Sequence, residues 1–323
     1  MKYLITGGCG FIGSHIAEEI LARDADASVV IYDNLRSGHR ENVDLTDCRV
    51  DLVVGDIRDA AGLAAAMGGV DYVFHEAALV SVFESVDDPG LNHDINLNGT
   101  LNVLTAARDA GVRRVMFAAS AAAYGDNSEV PKRETMRPEP ESPYALAKVG
   151  GEYYMSLFAK LYGVETVSLR YFNVYGPRQD PSSMYSGVIS KFTDTLARGE
   201  DPTVFGDGGQ TRDFVYVKDV ARANWLAAMS DAVGQGEVIN IATGRSTSLL
   251  DLLDALGQMF PHPFATRFAP VRAGDVRHSL ADITRAKELL NYTPVFSLRE
   301  GLGALVESLR QVSQKSLKVV IKE

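Results

Sequence analysis

Short apolar segments alternate with longer amphipathic segments along the first half of the chain. Six of the apolar segments have the pattern of buried strands, and we predict strands at 3–6, 28–32, 49–54, 71–75, 112–118 and 164–169. The segments between them favour helices, at 12–23, 60–67, 96–110 and 144–162. Strands that alternate with helices form βαβ units, so the pattern predicts a mostly parallel sheet with helices on both faces.

The alternation becomes irregular after Arg170. Gly and Pro interrupt the pattern repeatedly, and predicted helices at 187–198, 220–229 and 249–259 alternate with short strands. We therefore predict a first domain over 1–171, to which later segments cross back, and a smaller mixed α/β domain over 172–312 that caps the sheet. The last residues, 313–323, are predicted to be a tail without a packing partner.

Composition and charge exclude several classes of protein. Of 323 residues, 46% are hydrophobic and 23% are charged, which is typical of a globular chain with a large core. The net charge of −10 argues against nucleic acid and anionic membranes as partners, because both are polyanionic. Every apolar run is too short to span a bilayer, and the first one is too short for a signal peptide.

Cysteine and histidine usage adds two expectations. Cys9 and Cys48 are the only cysteines, so we predict no disulfide framework and a cytoplasmic location. The six histidines lack the spacing of metal ligands, and no metal is expected.

A glycine-rich loop joins the first predicted strand to the first helix. Gly7, Gly10 and Gly13 permit a tight turn, a close approach to a pyrophosphate and close packing of the helix on the strand. The helix N-terminus would offer N–H groups and a positive dipole end to phosphates. Glycines alone are weak evidence, because ordinary turns also use them.

Two acids farther along the chain make dinucleotide binding a more specific interpretation of this loop. Asp33 ends the second strand about 20 residues beyond Gly13, where a carboxylate accepts the adenosine ribose hydroxyls. An acid there favours NAD over NADP, although Arg36 nearby weakens that inference. Asp56, after the third strand, is expected to reach the adenine edge. We predict a Rossmann-type doubly wound parallel sheet that binds NAD.

A Ser, a Tyr and a Lys follow at positions that suit proton transfer. Ser120 comes after the fifth predicted strand, and Tyr144 and Lys148 share one face of the long helix. The pKa of a tyrosine is ordinarily near 10, and a nearby ammonium and a cationic nicotinamide would both lower it. The three groups suit removal of a carbinol proton coupled to hydride transfer. An exposed Tyr-Lys pair is otherwise common on helices, so the interpretation depends on the order of all the motifs.

In that order the motifs resemble the extended short-chain dehydrogenase/reductase family, and within it the nucleotide-sugar 4-epimerases, especially those acting on UDP-N-acetylhexosamines. The resemblance spans nearly the whole chain and is carried most clearly by three segments, 170–181, 211–214 and 274–282. It implies that Tyr144 is the catalytic base, that Lys148 holds the nicotinamide ribose, and that Ser120 binds the sugar 4′-oxygen.

The resemblance also implies two sets of binding residues. The residues expected around NAD are Gly7, Gly10, Phe11, Ile12, Gly13, Asp33, Asn34, Asp56, Ile57, Ala77, Ala78, Tyr144, Lys148 and Phe172. The residues expected around a UDP-sugar are Ser81, Ser120, Tyr144, Asn173, Val188, Thr203, Phe205, Arg212, Arg272, Asp275 and Ser279. Guanidinium groups match phosphate oxygens, which suits the two arginines for the pyrophosphate, although a lone Arg is more often a surface ion-pair partner.

Two departures from related enzymes narrow the expected reaction. Related dehydratases and decarboxylases carry acids directly after the catalytic Ser or Thr, whereas this chain has Ala121 and Ala122, which cannot protonate a leaving group. A bulky residue at the position of Ser279 excludes N-acetyl sugars in such epimerases, so a serine there is expected to admit them. Ser81 stands where acetamido-accepting relatives also have a serine.

The resemblance therefore predicts an isomerase, an NAD-dependent 4-epimerase that interconverts UDP-GlcNAc and UDP-GalNAc, with UDP-Glc and UDP-Gal as further substrates, and that forms a homodimer. A UDP-glucose or UDP-glucuronate 4-epimerase is an alternative, because a roomy pocket also accepts smaller sugars. A non-catalytic NAD sensor or scaffold on the same fold is another, although a sensor would not need Ser120, Tyr144 and Lys148 together.

Overall fold

The computed structural model describes residues 1–179, 187–271 and 276–320, with side chains described as far as residue 311. The strands are β1 Lys2–Thr6, β2 Ser28–Asp33, β3 Val50–Val54, β4 Tyr72–His75, β5 Arg114–Ser120, β6 Glu165–Tyr171, β7 Asn173–Tyr175, β8 Thr203–Phe205, β9 Thr211–Arg212, β10 Phe214–Tyr216, β11 Gln235–Ile241, β12 Thr247–Ser248 and β13 Arg267–Ala269.

Helices follow most of these strands. They are α1 Phe11–Arg23, α2 Ala60–Ala66, α3 Val82–Asp87, α4 Pro89–His93, α5 Gly99–Ala110, α6 Pro143–Tyr162, α7 Val188–Ala197, α8 Val217–Met229, α9 Leu249–Gly257, α10 Thr284–Leu290 and α11 Leu298–Val320. A π-helical turn, Asp94–Asn98, leads into α5, and short 3-10 turns occupy Arg40–Asn42 and Ala121–Tyr124.

Seven strands form one sheet in the order β11-β6-β5-β4-β1-β2-β3, and every neighbouring pair is parallel. The six strands predicted for the first half are confirmed, with ends that differ by one or two residues. The strand order reverses direction between β1 and β4, so the sheet is the predicted doubly wound, Rossmann-type sheet. In such sheets ligands bind beyond the carboxyl ends of the strands at this reversal.

Both faces of the sheet are buried, which explains the continuous apolar runs of its strands. Ile5 and its alternate neighbours face α1 and α8, in a core that includes Ile16, Ile20 and Val220. Leu4 and its alternate neighbours face α5 and α6, in a second core that includes Leu104 and Phe158. The chain beyond 172 returns to this sheet through α8 and β11.

A third core lies in the smaller mixed α/β part of the chain. Side chains from α7, α9 and α11 pack there on β8 and β10. Leu302, Leu305 and Val306 bury one stripe of α11, and the helix then continues to Val320. The segment predicted as a tail, 313–323, therefore begins inside a helix, because the amphipathic pattern that starts α11 carries the backbone past the predicted boundary.

Candidate active site

The glycine loop lies at the reversal of strand order, directly against the end of β4. Gly7 has φ +70°, and a Cβ there would lie 2.7 Å from the backbone nitrogen of Ala77. A Cβ on Gly13 would lie 2.4 Å from the carbonyl oxygen of Gly7. Gly10 caps α1 without any side-chain hydrogen bond, so the first turn keeps free N–H groups. The loop is therefore shaped for a pyrophosphate at a helix N-terminus.

Asp33 is buried where β2 ends. Its carboxylate accepts hydrogen bonds from the backbone N–H of Cys9, at 3.0 Å, and of Leu35, at 2.8 Å. Each oxygen has a second lone pair available, and two ribose hydroxyls match that capacity. Arg36 forms an ion pair with Glu84 on α3 instead of standing free to bind a 2′-phosphate. Both observations suit NAD.

The Asp56 carboxylate, predicted to reach the adenine edge, is hydrogen-bonded to side chains of the protein. Arg58 donates to both carboxylate oxygens, at 2.9 and 2.8 Å, and Asn34 Nδ2 donates to Oδ2 at 2.9 Å. These hydrogen bonds, above all those from Arg58, hold the pKa of Asp56 well below its usual range. The carboxylate thus fixes the loop after β3, and the predicted contact with adenine stays a prediction.

The remaining residues predicted around the cofactor lie at the same edge of the sheet. Phe11 and Ile12 begin α1, Ile57 follows β3, Ala77 and Ala78 follow β4, and Phe172 follows β6. The Phe172 side chain is buried, and its ring centroid lies 6.2 Å from that of Tyr124. The residues of this predicted set therefore lie at one edge of the sheet, and their contact with a cofactor stays a prediction.

His75 ends β4 and is a buried neutral histidine rather than a catalytic one. Its Nδ1 lies 2.8 Å from the Thr6 hydroxyl, and its Nε2 lies 3.0 Å from the Thr100 hydroxyl. Burial, and to a smaller extent the charge of Lys148, lowers the pKa of His75 to about 3. The hydrogen bonds tie β4 to β1 and α5.

The fold brings Ser120, Tyr144 and Lys148 together. Ser120 is the last residue of β5, two residues beyond the predicted end of that strand. Tyr144 lies in the first turn of α6, where Ser142 caps the helix by accepting a hydrogen bond from the backbone of Ala145. Lys148 Nζ donates to the carbonyl oxygen of Ala118 at 2.7 Å. It lies 5.9 Å from the centroid of the Tyr144 ring, so the two side chains share a helix face as predicted.

Burial is the largest electrostatic influence on this trio in the protein alone. It raises the pKa of Tyr144 above 10.0, while a hydrogen bond with Ser120 lowers that pKa and the charge of Glu76 raises it. Burial also lowers the pKa of Lys148 to about 8, so the ammonium stays mostly charged at neutral pH and loses its proton as the pH rises through 8. The expected lowering of the Tyr144 pKa by the ammonium together with a bound cationic nicotinamide stays a prediction.

Two side chains in this cleft were missed by sequence reasoning. Glu76 directly follows β4, and its Oε1 accepts a hydrogen bond from the Tyr171 hydroxyl at 2.8 Å. Burial raises the pKa of Glu76 and outweighs the lowering by the Tyr171 hydrogen bond and the charge of Lys148, so that the pKa is about 7. An acid directly after a buried strand, at the edge where the glycine loop lies, was the available signal in the sequence.

The residues predicted around a UDP-sugar occupy the smaller part of the chain and the rim of the cleft. Asn173 and Thr203 are exposed, whereas Val188, Phe205 and Arg212 are half-buried. Arg272 and Asp275 lie outside the described residues. Ser81 caps α3, with its hydroxyl accepting a hydrogen bond from the backbone of Glu84 at 2.8 Å.

Arg212 and Ser279 lie on adjacent segments. The backbone N–H of Ser279 donates to the carbonyl oxygen of Thr211 at 3.1 Å. Asp213, which the sequence analysis left without a role, is fully buried and accepts hydrogen bonds from the backbone of Thr243, Gly244 and Ala281. It thereby joins the strand that carries Arg212 to the segment that follows Ser279.

The comparisons with known proteins agree with this geometry. Residues 3–242 match the model of the NAD dependent epimerase/dehydratase family. The chain belongs to this family. It is 39% identical to the UDP-glucose 4-epimerase of Mycolicibacterium smegmatis over 319 residues, covering 97% of this chain and all of that one. The cofactor is NAD, as the family model and the glycine loop with Asp33 both indicate.

Two solved structures extend the comparison. A UDP-N-acetylglucosamine 4-epimerase from Methanobrevibacter ruminantium, in complex with UDP-N-acetylmuramic acid, is 38% identical with a TM-score of 0.91, covering 97% of this chain and 98% of that one. A UDP-glucose 4-epimerase from Thermus thermophilus, in complex with NAD, is 38% identical with a TM-score of 0.86, covering 96% and 99%. This chain is thus similar along nearly its full length to epimerases of both names.

Among the described residues, no group of three or more His, Cys, Asp and Glu side chains is arranged to hold a metal ion. In the same part of the chain, no helix combines the length and the apolar character needed to cross a membrane.

Proposed function

We propose that this protein is an NAD-dependent UDP-sugar 4-epimerase that interconverts UDP-GlcNAc and UDP-GalNAc and also accepts UDP-Glc and UDP-Gal. The observation that carries the proposal is the grouping of Ser120, Tyr144 and Lys148 beside the glycine loop. The similar proteins named above support a UDP-sugar as the substrate. With two free cysteines, of which Cys48 is exposed, we propose the reducing cytoplasm as its compartment.

The proposed reaction requires a base, a hydroxyl group that hydrogen-bonds the reacting oxygen, and residues that bind the nucleotide. Tyr144 removes the proton of the 4′-hydroxyl, and Ser120 hydrogen-bonds the same oxygen as it becomes a carbonyl. Bound NAD supplies a hydride acceptor and donor for C4′. Arg212 holds the pyrophosphate while the 4-keto sugar rotates and presents its opposite face to the cofactor. Hydride then returns to C4′ on that face, and Tyr144 returns the proton to the 4′-oxygen. Ala121 and Ala122 offer no acid for elimination, which supports epimerisation.

Lys148 serves the base rather than the sugar in this proposal. Its Nζ donates to Ala118 on β5, which holds the ammonium between the strand end and the Tyr144 ring. A charged lysine there stabilises the developing phenolate when the sugar proton leaves, and it is placed to hold the nicotinamide ribose.

Room for an acetamido group rests on Ser279 in this proposal. Ser279 is half-buried beside the strand that ends with Arg212, and a small side chain there leaves the volume of a larger one open. A tyrosine at this position would fill that volume.

Replacing Ser279 with Tyr is therefore expected to lower kcat/KM for UDP-GlcNAc by about tenfold or more, because overpacking a pocket costs about 1–3 kcal/mol. Turnover of UDP-Glc, which lacks the acetamido group, is expected to stay within about twofold. Ser279→Ala is the matched control, and it should retain both substrates. Equal losses with both sugars in Ser279→Tyr would contradict the assignment of Ser279 to the acetamido pocket.

A screen of substrates tests the proposed function directly. Purified protein is incubated with UDP-GlcNAc, UDP-Glc or UDP-glucuronate, and the epimers are resolved by chromatography. Conversion of UDP-GlcNAc to UDP-GalNAc supports the proposal. Conversion of UDP-glucuronate alone would establish the alternative acid epimerase, and a protein that binds NAD but converts none of the three would be a sensor or scaffold.

We also propose that the protein works as a homodimer through α6. Leu146, Tyr153, Leu157 and Leu161 are 62%, 61%, 46% and 62% exposed. Their spacing places them in one apolar stripe along the helix, with Gly150 between the first two. Such a stripe is stabilised when a second copy of the same helix packs on it.

The double variant Leu157→Glu, Leu161→Glu is expected to elute at the mass of one chain, because four carboxylates would be buried across a two-fold interface. Size-exclusion chromatography with light scattering measures the mass. Val295→Glu, at an exposed position away from α6, is the control and should leave the mass at two chains. A wild-type protein of one-chain mass would rule out the dimer.

A further inference from the structure

Glu76 occupies the border between the glycine loop and the catalytic trio. Its backbone N–H donates to the carbonyl oxygen of Thr6 at 3.1 Å, and its carbonyl carbon lies 3.0 Å from where a Cβ of Gly7 would be. Its side chain points to β6, where the Tyr171 hydroxyl donates to Oε1. The residue therefore contacts the cofactor loop with its backbone and the floor of the cleft with its carboxyl group.

The position of this carboxyl group is fixed by a relay of hydrogen bonds. Asn224 Nδ2, on the fully buried face of α8, donates to the Tyr171 oxygen at 2.7 Å. The Tyr171 proton is thereby directed to Glu76 and not elsewhere. Three elements, β4, β6 and α8, thus cooperate to hold one acid in the cleft. Glu76 is half-buried, and the removal of water from around its carboxyl group raises its pKa.

Glu76 acts electrostatically on both residues of the proposed proton-transfer pair. Its charge raises the pKa of Lys148 and that of Tyr144. Among the described residues, the titratable groups acting on Glu76 itself are Tyr171 from β6 and Lys148 from α6. Glu152 also raises the pKa of Lys148, but it is ion-paired with Arg170 at 2.8 Å. Since Tyr171 keeps its proton, the charge of the pocket near neutral pH changes with Glu76 and Lys148.

We propose that Glu76 is a positioning residue whose carboxylate gives the nicotinamide pocket its preference for oxidised over reduced cofactor. The nicotinamide ring of NAD⁺ carries a positive charge that NADH lacks, so a negative charge in the pocket stabilises NAD⁺ selectively. This preference keeps the enzyme ready for the first hydride transfer. The inference rests on the proposed function in placing the nicotinamide beside Tyr144 and Lys148.

The test compares affinities for NAD⁺ and NADH in the absence of any sugar nucleotide. Both are measured at pH 8 by calorimetric titration of protein freed of its cofactor, for wild type and Glu76→Gln. The glutamine oxygen can still accept the Tyr171 hydrogen bond, so the change removes the charge and keeps the shape. We expect the ratio of NAD⁺ to NADH affinity to fall about three- to tenfold, up to the equivalent of one pKa unit.

The pH dependence gives a second readout with a defined sign. The carboxylate forms as pH rises through about 7, and Lys148 loses its proton near pH 8, so both steps make the pocket more negative. The wild-type ratio is therefore expected to rise in two steps between pH 6 and 9. Glu76→Gln should retain only the step due to Lys148.

Tyr171→Phe is a second variant, which removes the hydrogen bond and leaves the carboxyl group. Because that hydrogen bond lowers the pKa of Glu76, its loss should move the Glu76 step of the affinity ratio to higher pH, whereas Glu76→Gln removes the step altogether. If Glu76→Gln does not fold, Glu76→Met removes the same charge with a side chain of similar length. An unchanged affinity ratio in a folded variant would overturn the inference. The outcome does not depend on which sugar is converted, so it is separable from failure of the proposed function.

Discussion

Replacing Tyr144 with Phe is expected to lower kcat for the epimerisation by about 10³-fold, the scale of a lost general base. The ring keeps its place in the first turn of α6, so the fold and the cofactor cleft are retained. Only the phenol hydroxyl, which is hydrogen-bonded with Ser120, is lost. Burial raises the pKa of this phenol, so removal of the sugar proton relies on the hydrogen bond with Ser120, which lowers that pKa, and on the Lys148 ammonium beside the ring.

The measurement is single-turnover and steady-state conversion of the best UDP-sugar, together with NAD affinity. NAD should bind Tyr144→Phe within about threefold of wild type, which separates loss of the base from loss of the site. Tyr162→Phe, on the same helix but 51% exposed, is the control and should turn over normally. Near-normal turnover by Tyr144→Phe would remove this residue from the mechanism.

The local sequence pattern predicts those strands whose own residues are apolar enough to indicate burial. Strands β1, β2, β4 and β5 are mostly apolar and buried along nearly their whole length, so each is recognised as a strand without knowledge of its neighbours. Strand β11 does not: Gln235–Ile241 begins with polar residues, and its first part is half-exposed. It becomes a strand by pairing with β6, more than 60 residues earlier in the chain. Such long-range pairing leaves little trace in the sequence of the strand itself.

The residues of the site also fall into two classes, those close together in the sequence and those brought together by the fold. The glycine loop, and the Tyr144–Lys148 pair, are contained in short segments whose spacing already has a physical meaning. The Glu76–Tyr171 hydrogen bond joins residues 95 positions apart, and Asn224 completes it from yet another helix. Burial of the Tyr144 phenol, which raises its pKa, could not be predicted either, because a sequence shows which charged residues are present but not how much water is removed from each group.

Replacing Gly13 with Ala is expected to weaken NAD binding about 100-fold. A Cβ there would lie 2.4 Å from the carbonyl oxygen of Gly7 and 2.8 Å from the Cα of Gly8. Both are backbone atoms of the glycine loop, so no side-chain rotation can relieve the contact. The loop must move away from the start of α1, at a cost of about 3 kcal/mol, and the N–H groups for the pyrophosphate move with it.

Gly303→Ala is the matched control for this variant, because Gly303 also lies in a helix, α11, but no atom lies within 4 Å of its added Cβ. Alanine gains roughly 1 kcal/mol of helix propensity at either position, so the two variants differ only in the contact made. Calorimetric titration with NAD and thermal unfolding measure both effects. Gly303→Ala should bind NAD normally and melt no lower than wild type. If Gly13→Ala bound NAD equally well, the third glycine would serve packing alone, and the pyrophosphate site would have to be sought away from the N-terminus of α1.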